Sequence, residues 1–283
     1  MQKSKNLEYS LDEYVPDKPF YLDVAGETEI FTACFHERIP VMLKGPTGCG
    51  KTRFVHYMAY ALSQSTRKNI PLITVPCHED LTADDLKGRH LITGEYLEGA
   101  ALIAARKGGI LYLDEVVEAR QDTTVVIHPL SDYRRTLIVE KLGKVIEVPP
   151  EFMLAISYNP GYQSKIKDLK QSTKQRFVAI NFDYPPKELE MEIIKKESGY
   201  EDQTTADFLT EIGKYLRNLK GKGLEEGAST RLLIDAAKLI KQRIPPRKAC
   251  EAAILNPITD DKSVFTDKDV VHGIEDIFSN FFP

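Results

Sequence analysis

IPVMLKGPTGCGKT, residues 39–52, contains the signals of a strand, a glycine-rich loop and a helix in direct succession. The apolar start, residues 39–44, predicts a strand. Residues 45–52 fit the pattern G-x-x-x-x-G-K-[ST], which opens a helix in phosphate-binding loops. In that arrangement, backbone N–H groups and the positive end of the helix dipole converge on phosphate oxygens. The stretch therefore predicts an α/β fold organised around a phosphate site.

The loop supplies the first candidate binding residues. Lys51 can reach the β- and γ-phosphates of ATP, and Thr52 can hold Mg²⁺. The thiol of Cys49 is either a reactive group at a helix N-terminus or a small side chain that fits the turn. The predicted nucleotide-binding residues of the loop are Gly45, Pro46, Thr47, Gly48, Cys49, Gly50, Lys51 and Thr52.

Five short apolar runs predict the strands of one sheet. None alternates cleanly between apolar and polar residues, so both faces of the sheet should be covered, as in a parallel sheet. The runs are residues 39–44, 71–75, 109–113, 153–157 and 177–182. Helices are predicted between them at residues 52–63, 100–106 and 123–130. This alternation indicates a doubly wound α/β domain.

The run ILYLDE, residues 110–115, ends a predicted strand in two adjacent carboxylates. A buried carboxylate is costly unless it is paired or bound to a cation, although a strand that simply reaches solvent could also end in acids. Beside a phosphate loop, Asp114 can support Mg²⁺ and Glu115 can activate a water, which favours hydrolysis over phosphate transfer to another substrate. Asn159 directly follows the predicted strand at 153–157 and could position the same water, although Asn-Pro is also a common turn.

The chain changes character after Tyr184-Pro185-Pro186, where the double proline marks a break. Only helical patterns follow, so we predict an α/β domain over residues 1–185 and an α-helical lid domain over residues 186–283. Apolar residues are expected to share one face in each of the first three lid helices: Leu189, Ile193 and Ile194 in the first, Phe208, Ile212, Tyr215, Leu216 and Leu219 in the second, and Leu232, Leu233, Ala236, Ala237 and Ile240 in the third. Further helices are predicted at 247–255 and 267–278. Two inserts, about 89–99 and 136–147, are predicted hairpins and candidate working loops.

Composition narrows the class of protein. The net charge is −4 and basic residues do not cluster, which disfavours nucleic acid as a partner. No apolar run is long enough to span a membrane. The four cysteines form no CxxC pair and the polar first residues do not resemble a secretory signal, so we expect a cytoplasmic protein. The run CHED, residues 77–80, is more simply a strand end than a metal site, because adjacent side chains cannot all point at one ion.

Together these motifs resemble an AAA+ ATPase of the MoxR branch over almost the whole chain. GPTGCGKT resembles the Walker A motif, ILYLDE the Walker B motif and Asn159 the sensor 1 residue. TKQRF, residues 173–177, resembles the arginine-finger segment, and GASTR, residues 227–231, resembles the sensor 2 motif. The phrases LKGPTGCGKTRFV, CHEDLTADDLKGR, LDEVVEARQDTTVVIHPL, ISYNPGYQ and LEEGASTRLL resemble the CbbQ/NirQ/NorQ family, with its CbbQ branch as the best match.

The resemblance implies an AAA+ doubly wound core with a parallel five-stranded sheet and a C-terminal all-α lid domain. It implies ATP and Mg²⁺ as cofactors and catalytic roles for Glu115, Asn159, Arg176 and Arg231. Arg176 would reach the γ-phosphate bound by a neighbouring subunit, with Arg134 and Arg135 as rival candidates for that contact. Arg231 would contact the γ-phosphate in its own subunit.

The resemblance also implies an assembly and partners. Family members act as hexameric motors with a partner that carries a von Willebrand factor A domain of the CbbO or NorD type. The CbbQ members are Rubisco activases, which release inhibitory sugar phosphates from Rubisco, and the NorQ members are linked to maturation of nitric oxide reductase. A nucleotide-dependent binding switch with little turnover fits the same motifs, whereas Glu115, Asn159 and the lid disfavour a small-molecule kinase.

Overall fold

The central sheet contains all five predicted strands, and all of them run parallel. The computed structural model describes residues 14–160, 169–220, 224, 226–258 and 268–281. Within these residues the strands are β1 (Val41–Lys44), β2 (Leu72–Pro76), β3 (Gly88–His90), β4 (Tyr96–Glu98), β5 (Gly109–Asp114), β6 (Thr136–Val139), β7 (Lys144–Glu147), β8 (Phe152–Tyr158) and β9 (Val178–Asn181). The central sheet has the order β2-β5-β8-β1-β9, so β1 lies between the two strands that come latest in the chain.

Its three inner strands are covered on both faces. Every residue of β8 is buried, and consecutive residues of β5 and β1 are buried too. Because neighbouring side chains of a strand point to opposite faces, such runs require packing on both sides of the sheet. This explains why the apolar runs do not alternate, and it confirms the predicted parallel, doubly wound core.

Helices connect the strands of this core. Those described are α1 (Glu27–His36), α2 (Lys51–Thr66), α3 (Ala83–Lys87), α4 (Ala100–Lys107), α5 (Gln121–Val125) and α6 (Gln171–Lys174). Helix α1 was not predicted from the sequence. The helix predicted over 123–130 was too long, since α5 ends at Val125 and turns follow. His128 precedes Pro129, and a residue before proline is disfavoured in the helical conformation.

Both inserts are hairpins, as predicted. β3 pairs antiparallel with β4, and β6 pairs antiparallel with β7. Gly94 and Gly143 turn the chain with φ angles of 87° and 59°, a region that glycine enters without a steric penalty. Helix α3, directly before the first insert, contacts the turn of the second: the amine of Lys87 lies 2.7 Å from a carboxylate oxygen of Glu140, and Lys141 pairs with Asp84. Ion pairs therefore link α3 to the turn of the second hairpin.

Helices alone form the C-terminal part. They are α7 (Lys187–Ser198), α8 (Gln203–Asn218), α9 (Thr230–Lys241), α10 (Pro246–Cys250), α11 (Asn256–Ile258) and α12 (Lys268–Phe281), with one π-helical turn, Glu251–Leu255, between α10 and α11. The core includes Phe208, Ile212 and Leu233, as predicted. In α7, Ile194 is buried and Leu189 and Ile193 are half-buried, but Glu190 is buried too, which the apolar pattern did not indicate. Asp267, the predicted start of the last helix, lies outside the described residues.

The chain divides into two compact units. An α/β unit takes in residues 1–19, 25–45 and 51–181, and a helical unit takes in residues 20–24, 46–50 and 182–283. The middle of the phosphate loop thus groups with the helical unit, while the residues at its two ends group with the α/β unit. The predicted domain boundary at residue 185 stays a prediction. None of the described helices has both the length and the apolar character needed to cross a membrane.

Candidate nucleotide-binding site

Three inner strands of the sheet end at one edge, and each carries a candidate residue there. β1 leads into the phosphate loop, β5 ends at Asp114 and β8 leads into Asn159. The backbone N–H of Gly45 donates to the carbonyl of Tyr158 at 3.2 Å, which joins the start of the loop to the end of β8. In open α/β sheets, the carboxyl ends of parallel strands are where ligands bind.

Asp114 is held by hydroxyl groups on three sides. Tyr112 and Ser157 donate to its Oδ1 at 2.7 and 2.6 Å, and Thr52 donates to its Oδ2 at 3.2 Å. Burial raises the pKa of the Tyr112 phenol, so this hydroxyl stays protonated and keeps donating. Tyr112 and Ser157 are fully buried, so the position of the carboxylate is fixed from the interior of the sheet.

Glu115 has an unusual backbone conformation. Its φ and ψ are 55° and 50°, in the left-handed region, where a non-glycine residue costs about 1–3 kcal/mol and needs surrounding support. The support comes from Ser157, whose Oγ accepts the backbone N–H of Glu115 at 2.7 Å. A hydroxyl can donate and accept at once, so one buried side chain positions both acids. The carboxylate of Glu115 is exposed.

The phosphate loop has the backbone conformation that its glycines predict. Gly48 and Gly50 have φ angles of 69° and 104°, which side-chain-bearing residues rarely adopt. At the end of the loop, the amine of Lys51 donates to the carbonyl of Gly45 at 2.8 Å. Cys49 is buried within the loop. All four cysteines lie in the described residues, all are buried and none forms a disulfide.

The residues present fit a magnesium ion that arrives with phosphate. Thr52 and Asp114 place two oxygen atoms 3.2 Å apart, and oxygen is the ligand that Mg²⁺ prefers. Among the residues that the structure describes, no group of three or more histidine, cysteine, aspartate and glutamate side chains could hold a metal. A magnesium ion here would therefore take its other ligands from phosphate and water.

The arginines predicted to act in trans occupy different environments. Arg176 lies 3.0 Å from Oδ2 of Asp132, and Arg134 lies 2.6 Å from the same oxygen. Arg135 is half-buried and donates to the carbonyl oxygens of Arg38 and Phe152. Arg135 is thus used inside its own chain, which disfavours it as the residue that reaches a neighbour.

The remaining predicted catalytic residues lie in separate units. Asn159 is buried directly after β8 in the α/β unit. Arg231 is exposed and is the second residue of α9 in the helical unit. A β-carbon built at Gly48 would lie 3.6 Å from that of Arg231, so the loop and Arg231 are neighbours within the helical unit.

Two positioning residues, Ser157 and Tyr112, were missed in the sequence. Ser157 is the only polar residue in the apolar run MLAIS, on the strand that pairs with ILYLDE. A lone hydroxyl in a buried strand needs a hydrogen-bond partner, and this signal could have identified Ser157. Tyr112 has no comparable signal, because an aromatic residue in a strand is ordinary.

Two family profiles match successive parts of the chain. Residues 40–177 match the AAA domain of the dynein-related subfamily, and residues 190–280 match the CbbQ/NirQ/NorQ C-terminal region. Among curated proteins, the chain is 57% identical to protein CbbQ of Hydrogenophilus thermoluteolus, over 87% of this chain and 91% of that one.

Two further relatives are also similar over most of the chain. The denitrification regulatory protein NirQ of Stutzerimonas stutzeri is 49% identical, over 91% of this chain and 92% of that one. Protein NorQ of Paracoccus denitrificans is 48% identical, over 94% of this chain and 95% of that one.

Solved structures share the fold at low identity. A mutant of RuvB from Thermotoga maritima matches with a TM-score of 0.55 and 15% identity, over 84% of this chain and 73% of that one. NtrX from Brucella abortus matches with a TM-score of 0.56 and 16% identity, over 93% of this chain and 62% of that one. Both likenesses support the AAA+ fold. With two matching profiles and curated relatives at 48–57% identity over most of their length, the chain belongs to the CbbQ/NirQ/NorQ family of AAA+ ATPases.

Proposed function

We propose that the protein is a ring-forming motor that hydrolyses ATP in order to remodel a protein client. The observation that carries the proposal is the arrangement of the two acids at the end of β5. Asp114 is held by three hydroxyl groups, and Glu115 is held by its backbone so that its carboxylate faces solvent. One acid is thus fixed for a cation and the other is available for a water.

Each residue of the site has a task in this proposal. The phosphate loop and Lys51 bind the phosphates of ATP, and Thr52 and Asp114 hold Mg²⁺. The ion, when bound, offsets negative charge on the phosphates. Glu115 orients and deprotonates the attacking water, and Asn159 helps to orient it. This division of labour requires hydrolysis rather than transfer to a second substrate.

The roles that we propose for the arginines require a ring of subunits. We propose that Arg176 acts on the γ-phosphate of a neighbouring subunit in a hexamer and that Arg231 acts within its own subunit, each by stabilising charge in the transition state. The hydrogen bonds of Arg135 to carbonyl oxygens of its own chain support Arg176 over this rival. Arg134 stays a rival, because it is more exposed than Arg176 and binds the same carboxylate.

The client that we propose first is Rubisco, from which the motor would release inhibitory sugar phosphates. A partner with a von Willebrand factor A domain of the CbbO type would connect motor and client in the cytoplasm. The similarity to CbbQ, at 57% identity, favours this client. The similarity to NirQ and NorQ, at 49% and 48%, supports maturation of nitric oxide reductase as the second candidate.

Hydrolysis is tested with Glu115→Gln, which keeps the shape of the side chain and removes the base. The variant should bind ATP with wild-type affinity, form the same ring in analytical ultracentrifugation and lose about 100-fold or more in turnover. Glu37→Gln makes the same change at an exposed residue after α1 and should turn over ATP at the wild-type rate. A Glu115→Gln protein with wild-type turnover would show that the catalytic assignment is wrong. A wild-type protein that binds ATP without hydrolysing it would favour the alternative, a nucleotide-dependent binding switch.

The client is tested by reactivation. Inhibited Rubisco, the motor, its von Willebrand A partner and ATP should give carboxylase activity that is lost with Glu115→Gln. If wild-type protein with intact ATPase activity gives no reactivation, the second candidate becomes the better one. It predicts that cells lacking this protein accumulate inactive nitric oxide reductase.

A further inference from the structure

A buried ion pair in the helical unit has no part in the proposed chemistry. Glu190 of α7 is 2% exposed, and Arg217 of α8 binds its two carboxylate oxygens at 2.8 and 2.6 Å. Thr230, the first residue of α9, donates to the same carboxylate at 2.6 Å. Replacing a buried ion pair by apolar residues is often neutral for stability. The value of this pair therefore lies in the geometry that it fixes, where three helices meet.

Arg217 extends the contact towards the start of α9. Its Nε donates to the carbonyl of Ala228 at 2.8 Å, and a β-carbon built at Gly227 would lie 2.6 Å from its Cα. The segment directly before α9 is thus packed against Arg217 and bonded to it. This segment determines where α9 begins, and Arg231 is the second residue of that helix.

The same guanidinium group reaches the phosphate loop through Tyr184. It lies over the Tyr184 ring at 3.9 Å, and the Tyr184 hydroxyl donates to the carbonyl of Thr47 at 3.2 Å. Burial raises the pKa of this phenol, so the hydroxyl remains a donor. Continuous contacts therefore run from a carbonyl of the loop through Tyr184 and Arg217 to the carboxylate of Glu190.

A second contact joins the phosphate loop to the segment before α9. A β-carbon built at Gly48 would lie only 2.6 Å from the β-carbon of Ser229, so the loop touches the segment before α9 directly. Residues 46–50 and 182–283 belong to one compact unit, which contains every residue in these contacts. A shift of the loop would therefore meet Ser229 on one side and the hydrogen bond to Tyr184 on the other.

We propose that Tyr184, Arg217 and Glu190 are positioning residues that couple the phosphate loop to the start of α9, so that a nucleoside triphosphate in the loop sets the position of Arg231. In this proposal each of the three acts through Arg231 and not directly on the phosphates. The inference rests on the proposed function insofar as the loop binds ATP. It adds the residues by which the helical unit distinguishes ATP from ADP.

The test removes one hydroxyl. Tyr184→Phe keeps the ring over Arg217 and deletes only the hydrogen bond to Thr47. The loss of one hydrogen bond should lower the ratio of ATP affinity to ADP affinity about 2- to 10-fold, measured by calorimetry on Glu115→Gln protein so that ATP is not consumed. The melting temperature without nucleotide should fall by no more than about 2–6 °C, as expected for the loss of one hydrogen bond. Tyr200→Phe is the matched control, because the Tyr200 hydroxyl makes no hydrogen bond to any described residue of its unit.

A double-mutant cycle distinguishes coupling from simple support. If Tyr184 acts through Arg231, then Tyr184→Phe should have no further effect on the affinity ratio once Arg231→Ala is present. Additive effects, an unchanged ratio in the single variant, or a lower melting temperature with an unchanged ratio would each overturn the inference. A parent protein that does not bind ATP at all would instead overturn the proposed function.

Discussion

Replacing Ser157 by alanine should test how far hydrolysis depends on the positions of Asp114 and Glu115, because both carboxylates remain in the variant. The change removes one oxygen atom, the group that donates to Asp114 and accepts the backbone N–H of Glu115. Alanine fits the same space in the buried strand β8, so the sheet should remain intact. In the variant, the backbone N–H of Glu115 loses its hydrogen-bond partner. The left-handed conformation of Glu115 then lacks the support that this bond gives.

The size of the effect follows from these two bonds. Leaving a partly buried donor unpaired costs about 1–3 kcal/mol, and hydrogen bonds to charged groups contribute about 1.5–3 kcal/mol. If about 1–3 kcal/mol of this loss appears in the transition state, kcat falls about 5- to 150-fold. Tyr112→Phe removes a single bond to Asp114 and leaves Glu115 supported, so its kcat should fall less.

The assay is steady-state ATP hydrolysis as a function of Mg²⁺ concentration. Both variants should need more Mg²⁺ for half-maximal activity, whereas only Ser157→Ala should also show the larger loss of kcat at saturating Mg²⁺. Ser131→Ala is the matched control, because Ser131 is also buried but donates to the carbonyl of His128. If kcat for Ser157→Ala stays within about twofold of wild type, Ser157 does not position Glu115.

Three further predictions concern the α/β unit. The pair of Lys87 and Glu140 should show a coupling below about 1 kcal/mol in a double-mutant cycle of thermal unfolding, and 1 M salt should abolish it; a coupling that resists salt would contradict this. Burial, and after it the nearby acids, raise the pKa of Cys77 to about 12. Alkylation of this thiol in the native protein should therefore be slow at pH 8, and its rate should rise about tenfold per pH unit. Rapid labelling at pH 8, detected by mass spectrometry, would show that the thiol is accessible. The hydrogen bonds of Arg134 lower the pKa of Asp132 to about 2, below the ordinary value of about 3.9, so its contribution to stability is present above pH 4 and is lost as the pH falls towards 2; a carboxyl titration midpoint near 4 by NMR would refute it.

The strands and both hairpins could be predicted because their signals are local. Apolar runs bounded by Gly45, Gly109 or prolines mark the parallel strands, and Gly94 and Gly143 mark the hairpin turns. The edge that holds Asp114 follows from the same reasoning, because parallel strands end together. Local composition therefore determined most of the α/β unit.

Errors arose where a distant part of the chain decides the outcome. Helix α1 starts after Gly26 without a side-chain cap, so the usual signal of a helix start is missing, although Phe31, Cys34 and Phe35 have helical spacing. Glu190 is buried because Arg217 and Thr230 surround its carboxylate, and both follow it in the chain.

The arginine candidates show the same limit. The motif DYRR does not reveal that Arg135 binds carbonyl oxygens of Arg38 and Phe152, because only the folded chain brings them together. Arg176 and Arg134 share Asp132, which the sequence places beside Arg134 but far from Arg176. Contacts between distant parts of the chain therefore decided what spacing alone left open.

The strand order has a consequence for folding during synthesis of the chain. β1, which leads into the phosphate loop, pairs only with β8 and β9. Roughly 110 residues separate β1 from β8, its first partner to be synthesised. At a synthesis rate of about 5–20 residues per second, β8 follows β1 after about 5–20 s. Until then this apolar strand has no partner in the sheet, and a nascent chain that stalls before β8 exposes it to aggregation or to chaperones. Nucleotide binding by chains released at successive lengths would therefore report when the sheet closes.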